Sequence, residues 1–459
     1  MSTAMTWKET DVDIDEKRNE FTVSVIGCGR TGISTIYLLA NAKFKVIGVD
    51  PDPYIINLLK KGRIPSGDPK LAEQIKKNVK EGRITATNET KEAASKSDII
   101  IFSVPLTLDQ KKKPDYSNLE NACKEVGMGL RSGSLIIVEN SITPGITEIL
   151  VKEILEKSSG LKAGTDFGLA YITISSSWQP TLQDIIIQPK IVGALNEQSL
   201  RTTCLVLSQI VNTEIIKVTN IETAETINLF ENAYQDVNNA LATELGLFCE
   251  KVGIDFFEIQ RAIGRRNSCQ MPVPNTISGY FLTGSYLLFE KAENVNAKLR
   301  LASVARKINS EMLNHTVRLT KDGLRSCGKT MRRANISILG VSNRPDVREI
   351  NQPFVKHLLA ALVKRGAKVH IYDPLFSQKK LIELDYPAEK TLRKSIKGAD
   401  CLIFTVGHDR FKRLNLNRIK FFVRKPAVII DLASAFNPNE AMEKGFIYRG
   451  LGRGKGFLT

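Results

Sequence analysis

The chain has 459 residues, 42% of them hydrophobic, and a net charge of +16 from 65 Lys and Arg against 49 Asp and Glu. That length exceeds what one hydrophobic core usually sustains, so two or three domains are expected. No apolar run reaches the roughly 18 residues of a membrane span, and the start, MSTAMTWKETDVDIDEKRNE, is too polar for a signal peptide, so a soluble cytoplasmic protein with no membrane contact is expected.

The seven cysteines (28, 123, 204, 249, 269, 327, 401) contain no C-x-x-C pair, and the four histidines do not cluster with them, which argues against a disulfide framework or a metal site. The basic residues are spread along the chain and aromatics make up 7%, so the charge reads as solvated surface, not as a nucleic-acid interface.

In chain order, residues 1–20 form a polar tail. FTVSVIG (21–27) reads as a buried parallel strand ending in glycine, followed by a helix to about Ala42 and a second strand, KVIGVD (45–50). Gly27, Gly29 and Gly32 make G-x-G-x-x-G between that strand and helix, with Arg30 and Thr31 inside the turn. The first glycine allows the turn, the second lets backbone approach a pyrophosphate at the helix N-terminus, and the third permits close packing. Asp50 ends the next strand, where a carboxylate accepts both ribose hydroxyls and repels a 2′-phosphate, so NAD is favoured over NADP. Further strands follow at DIIIFSVP (98–105), whose Val104 and Pro105 belong to the cofactor rim, and at SLIIVENS (134–141). NSITPGIT (140–147) then sets the hydroxyls of Ser141 and Thr143 in a turn at the sheet's edge.

From Glu222 the pattern becomes that of one long central helix, and helical sequence continues to about Leu324. GLRSCGKT (323–330) matches a P-loop literally, but a helix precedes it and a strand follows, the reverse of what phosphate binding needs, so the match is one of chance. Residues 334–374 then repeat the opening order of strand, glycine, helix, strand and Asp-Pro, with more strands at 400–406 and 427–433. The reading is α/β: two Rossmann-like, doubly wound parallel-sheet domains (21–217 and 331–459) joined by a helical middle (218–330).

VIGCGRTG with Asp50, SVPLTLDQKKKPDYSNL, NSITPGIT, KIVGALNEQS, ENAYQDVNNALATELGLFCEKVGID, ARKINSEM, RGAKVHIYDP and GFIYRGLGRG together resemble the UDP-glucose/GDP-mannose dehydrogenase family over almost the whole chain. The resemblance implies an NAD-binding first domain, a homodimer built on the long central helix, and a last domain that holds the nucleotide of a nucleotide sugar. It also implies oxidation of a sugar CH₂OH to a carboxylate through a cysteine thioester, with two hydride transfers.

Against that pattern the chain departs. Tyr286 stands in TGSYLLFE where the family has its cysteine, Ile174 replaces the catalytic glutamate, and Asn228 replaces the lysine of the long helix. Asn232 survives, Glu290 replaces an aspartate and Ser141 a threonine, which leaves Ser141, Asn232 and Glu290 as the remaining catalytic candidates. Asn232, Arg344 and Arg348 are candidates for substrate binding, while DLASAFNP (431–438) lacks the family's arginine. The expectation is a family member that binds NAD without the cysteine-dependent four-electron oxidation. It is then either a non-catalytic binding partner in sugar-nucleotide metabolism or a two-electron NAD-dependent alcohol dehydrogenase.

Overall fold

The structure is a computed structural model that describes residues 15–64, 69–109, 111–173, 186–266, 270–276, 283–348, 350 and 353–454. Ile174 and Cys269 lie outside the described residues. The chain divides into two compact units, Met1–Ala233 with Thr283–Leu299, and Tyr234–Leu282 with Arg300–Thr459. The helical middle is shared between them, because the helix Ile221–Val252 begins in the first and ends in the second. Gly246 does not interrupt that helix, since a Cβ there would lie 2.6 Å from Pro274 Cγ: the glycine is a close-packing position.

In the first unit the strands are β1 (Thr22–Ile26), β2 (Lys45–Val49), β3 (Ile84–Thr87), β4 (Ile99–Phe102), the short β5 (Thr107–Leu108) and β6 (Pro114–Asp115), β7 (Leu135–Val138), β8 (Gly168–Ile172), β9 (Lys190–Ala194) and β10 (Ile215–Lys217). Eight of them form one sheet in the order β10-β9-β8-β7-β4-β1-β2-β3, and β5 with β6 makes a small hairpin. The sheet is parallel except at one edge, where β9 runs antiparallel to β8 and β10 follows β9. Successive strand residues alternate between two cores. Val23, Val25, Ile99 and Ile101 pack on Ile33, Ile36 and Leu39 of the helix Arg30–Asn41. Ile100, Phe102, Ile136 and Val138 face Leu119, Cys123 and Val126 on the other side. Both faces being covered explains why these strands read as unbroken apolar runs. Arg18 closes the unit's N-terminal end, its Nε donating to Ala42 O (2.8 Å) and its Nη1 to Gln209 Oε1 (2.7 Å).

The second unit carries β11 (Asn335–Leu339), β12 (Lys368–Tyr372), β13 (Cys401–Phe404), β14 (Ala427–Asp431) and β15 (Phe446–Gly450), all parallel in the order β12-β11-β13-β14-β15. Its first strands copy those of the first unit bond for bond. Gly27 N donates to Val49 O (2.7 Å) as Gly340 N does to Tyr372 O (2.9 Å). Asp98 accepts from Thr22 N and Asp400 from Asn335 N, both at 2.9 Å. A buried serine pair lies under each turn, Ser24 with Ser97 (2.6 Å) and Ser337 with Ser395 (2.5 Å).

GLRSCGKT straddles the end of the helix Met312–Ser326. Gly328 closes that helix in the left-handed region (φ +69), and Lys329 Nζ is taken up by Arg424 O, Pro426 O and Asp400, so the segment makes no phosphate turn.

Candidate functional site

The site of the first unit is built by strand register. Ile26 pairs with Val49 on one side and Phe102 on the other, and Phe102 pairs with Val138, so the loops after β1, β2, β4 and β7 open side by side at the carboxyl edge. An open α/β sheet binds its ligands at that edge. Gly27 (φ +101) turns the chain beneath Ser103, and Gly29 caps the helix Arg30–Asn41. That helix start has no side-chain cap and no acidic residue in its first turn. Its orphan N–H groups therefore remain available to a diphosphate, with half-buried Arg30 and Thr31 beside them.

Asp50 is held for its role by the turn. Its Oδ2 accepts from Cys28 N (2.9 Å) and its Oδ1 from Asp52 N (3.0 Å), which orients the carboxylate and leaves each oxygen a further lone pair. The corresponding Asp373 of the second unit is consumed. Val341 N (2.8 Å), Ser342 N (3.1 Å) and Ser342 Oγ (2.9 Å) donate to its Oδ2, and Leu375 N to its Oδ1. Buried His408 completes the set. Asp346 N donates to its Nδ1 (2.9 Å), so the proton lies on Nε2, which faces Asp373 Oδ2 at 3.3 Å. Burial works against the charge of Asp373, but His408 and the amides of Val341 and Leu375 outweigh it and hold the carboxyl below its usual range. After Gly340 the next helix of the described residues begins at Pro353, so no helix N-terminus sits at that turn. Among the described residues only the first unit combines a glycine turn, an open helix start and an available aspartate, and these fit NAD.

On the rim, Val104 N donates to Asn140 Oδ1 (3.1 Å), which joins the β4 and β7 loops, and Pro105 is exposed next to it. Beneath lies Glu139, which residue-by-residue reading passed over. It accepts from Thr35 Oγ1 (3.1 and 3.2 Å), so it supports the cofactor helix from behind. Burial pushes its carboxyl up to about 7, against the hydrogen bonds of Ser103 and Thr35 and the charge of Lys190. Lys190 is pushed down to about 8 by the same burial, so desolvation outweighs mutual attraction for both. The signal for Glu139 was available: a carboxylate ends the fully apolar strand LIIV at the ligand edge.

The remaining candidates also gather in the first unit. Exposed Ser141 accepts from Asn228 Nδ2 (2.9 Å), so the residue at the lysine position is already bonded to the hydroxyl turn. Buried Asn232 packs on Gly284, where a Cβ would come within 2.5 Å of its Nδ2. Glu290 is not loose. Tyr116 OH (2.9 Å) and Thr143 Oγ1 (2.5 Å) both donate to its Oε2. Tyr286 sits on the helix Thr283–Asn294 with Lys112 Nζ 5.3 Å from its ring centre and Phe289 edge-on at 6.1 Å. Glu225 of the long helix accepts from Gly145 N (2.5 Å) and Thr147 N (3.0 Å), clamping the same turn, and burial pushes it up to about 7.

In the second unit Arg344 is half-buried and exposed Arg348 stacks over Phe376 at 5.9 Å, both on the loop pinned by His408. The sequence DLASAF folds around Asp431, which accepts from the amides of Ala433, Ala435 and Phe436 and from Tyr448 OH. Among the described residues no group of three metal-ligating side chains forms, and no helix is long and apolar enough to cross a membrane.

Stability carries the signature of the two buried acids. Each is raised from about 4.5 to about 7 on folding, so the folded state favours their neutral form. That stabilising contribution is fully present below pH 4.5 and is lost as pH rises through 7, on the order of 3 kcal/mol per group. Glu139→Gln should therefore flatten the fall of melting temperature between about pH 4.5 and 7, read by calorimetry across that range; a slope equal to the parent's would refute the assignment.

These features define a dinucleotide-binding α/β protein of the dehydrogenase class. Comparison with known proteins narrows the class: residues 21–211 match the NAD binding domain, 222–311 the central domain and 337–438 the UDP binding domain of the UDP-glucose/GDP-mannose dehydrogenase family. The chain belongs to that family. It is similar to the UDP-N-acetyl-D-mannosamine dehydrogenase of Pyrococcus horikoshii, 27% identical over 437 residues, 94% of this chain and 99% of that protein. It is also similar to the UDP-glucose 6-dehydrogenase TuaD of Bacillus subtilis, 25% identical over 94% of this chain and 93% of that one. The solved structure of the Pyrococcus horikoshii UDP-D-ManNAc dehydrogenase superposes with a TM-score of 0.85 at 25% identity, covering 94% of this chain and 99% of its own. A crystal structure titled NDP-N-acetyl-D-galactosaminuronic acid dehydrogenase, from Methanosarcina mazei Go1, gives 0.79 at 27%, covering 97% and 99%.

Proposed function

We propose that this chain binds NAD and a nucleotide sugar without the thioester chemistry that the family resemblance implies, and so acts as a binding partner or regulator in sugar-nucleotide metabolism. The observation that carries the reading is the state of its sulfur. The position that the resemblance gives the nucleophile holds Tyr286, a bulky phenol in place of a thiol. All six described cysteines (28, 123, 204, 249, 327, 401) have thiols pushed up, with burial as the largest cause. A thiol so held presents little thiolate for attack on an aldehyde.

Glu290 favours a second reading. With its carboxyl group fixed by Tyr116 and Thr143, Glu290 would take the proton of a sugar alcohol while hydride passes to bound NAD, a two-electron oxidation that stops at the carbonyl. The relatives' names make UDP-N-acetylmannosamine and UDP-glucose the first substrates to try. Counting NADH per sugar consumed separates the readings. None, with NAD binding shown in the same sample, supports the binding protein; one supports the two-electron enzyme; two refutes both.

The dimer implied by the resemblance has support on the long helix, where Phe230, Tyr234, Leu241, Phe248 and Val252 stand exposed at spacings of four and seven residues. Leu241→Glu with Phe248→Glu is expected to halve the mass seen by analytical ultracentrifugation. A parent that already sediments as a monomer would sink the dimer.

A further inference from the structure

A cavity of about 250 Å³ in the second unit borders the DLASAFNP turn but is lined by neither Arg344 nor Arg348 nor any residue of the first unit. Its wall includes Asp255 and Arg261, together with Phe436, Asn439, Arg449 and Arg453 from the segments around β14 and β15. Strand order separates it from the loop of Arg344 and Arg348. That loop follows β11, and β13 stands between β11 and β14, so the two strands are about 10 Å apart across the sheet.

The charges of this wall do not balance. Arg453 is paired with Asp255 and its guanidinium lies 4.0 Å from the Phe257 ring centre, which fixes its direction. Arg449 is held by Tyr448 O (2.8 Å) and Ser326 Oγ (3.1 Å), and among the described residues it pairs with no carboxylate. Arg261 is exposed at the rim and likewise makes no ion pair there. Three guanidinium groups of the wall thus meet one carboxylate of the wall, with the charge of Asp322 also acting on Arg449. The Nε atoms of Arg449 and Arg453 are buried without a hydrogen-bond partner. A buried donor left unmet costs free energy, and like charges brought together cost more, unless an anion completes the site.

We infer that this cavity binds a small phosphate-bearing ligand, separately from the NAD and nucleotide-sugar sites. The planar guanidinium fork matches phosphate oxygens, so two oriented arginines with Arg261 at the mouth suit a dianion. The Asn439 amide adds a polar group, and the Phe436 ring offers a face for an attached organic group.

The test is calorimetric titration of the full chain with inorganic phosphate and with ribose 5-phosphate, each with and without saturating UDP. Saturable binding that persists with UDP is expected, weakened by about tenfold in Arg449→Met and again in Arg261→Gln. Tighter binding of ribose 5-phosphate identifies an organic ester as the ligand, and tighter binding of phosphate identifies the free ion; both support the site. No saturable binding, displacement by UDP, or unchanged affinity in the variants overturns it. Should Arg449→Met fail to fold, the exposed Arg261→Gln and the rim variant Asn439→Leu still decide the matter.

Discussion

Gly32→Ala should abolish NAD binding and destabilise the first unit by about 3 kcal/mol or more. A Cβ there would lie 1.9 Å from Gly27 O and 3.0 Å from Gly27 C, both backbone atoms. Gly27 is held in place, because its N–H is bonded to Val49 O (2.7 Å) and its backbone passes so close to Ser103 that only a residue without a Cβ fits there. The helix would have to lift from the strand, taking its open N–H groups away from where a diphosphate would sit. Gly29→Ala is the control. Nothing lies within 4 Å of its notional Cβ and its φ is −68, so the fold should keep its melting temperature while NAD, approaching on that side, binds more weakly. Calorimetry paired with NADH fluorescence titration reads both effects, and parent-like NAD affinity in Gly32→Ala would show that the turn is not the cofactor site.

Much of this architecture was readable because it rests on local rules. A Val- and Ile-rich strand, a glycine with φ above zero and an amphipathic helix leave their marks within thirty residues, and the chain leaves them twice. The duplication reached further than the motif, since the Ser24–Ser97 and Ser337–Ser395 pairs recur although no motif names them. What pattern cannot supply is pairing across long separations. Glu139 and Thr35 stand 104 positions apart, and Tyr116 and Glu290 stand 174 apart, so their meeting depends on strand order and helix packing. The antiparallel turn of β9 was hidden for the same reason: its sequence, KIVGA, is apolar enough for either direction.

The two copies also show how one geometry yields two uses. Both aspartates end the second strand and accept the amide that follows the glycine. Beside Asp50 the glycine turn enters a helix at once, at Arg30, so donors and carboxylate face the same space. At Asp373 a loop intervenes, and its Ser342 and the buried His408 take the lone pairs a ribose would need. The equivalent aspartate thus keeps lone pairs open to a ligand in one unit and pins a loop in the other.

Installing the groups that the family resemblance calls for should give the largest change in chemistry. Tyr286→Cys alone is expected to stay inactive in the four-electron reaction, because the thiol would lack a lysine or carboxylate to help form and discharge its adduct. Adding Asn228→Lys removes the bond to Ser141 and sets an ammonium on the same face of the long helix as Asn232, four residues on. Adding Ile174→Glu restores the base that the family resemblance calls for. The triple variant should then oxidise a nucleotide sugar with two NADH formed per sugar, and quenched samples should carry the acyl group on the new thiol by mass spectrometry. The comparison is large because the parent should show no acyl adduct at all. A parent that forms such an adduct, or that makes two NADH per sugar unaided, would mean that another thiol of this chain already does the work. A triple variant that binds both ligands yet stays inert would place the loss in how Tyr116 and Thr143 hold Glu290, and Tyr116→Phe would be the next substitution to measure.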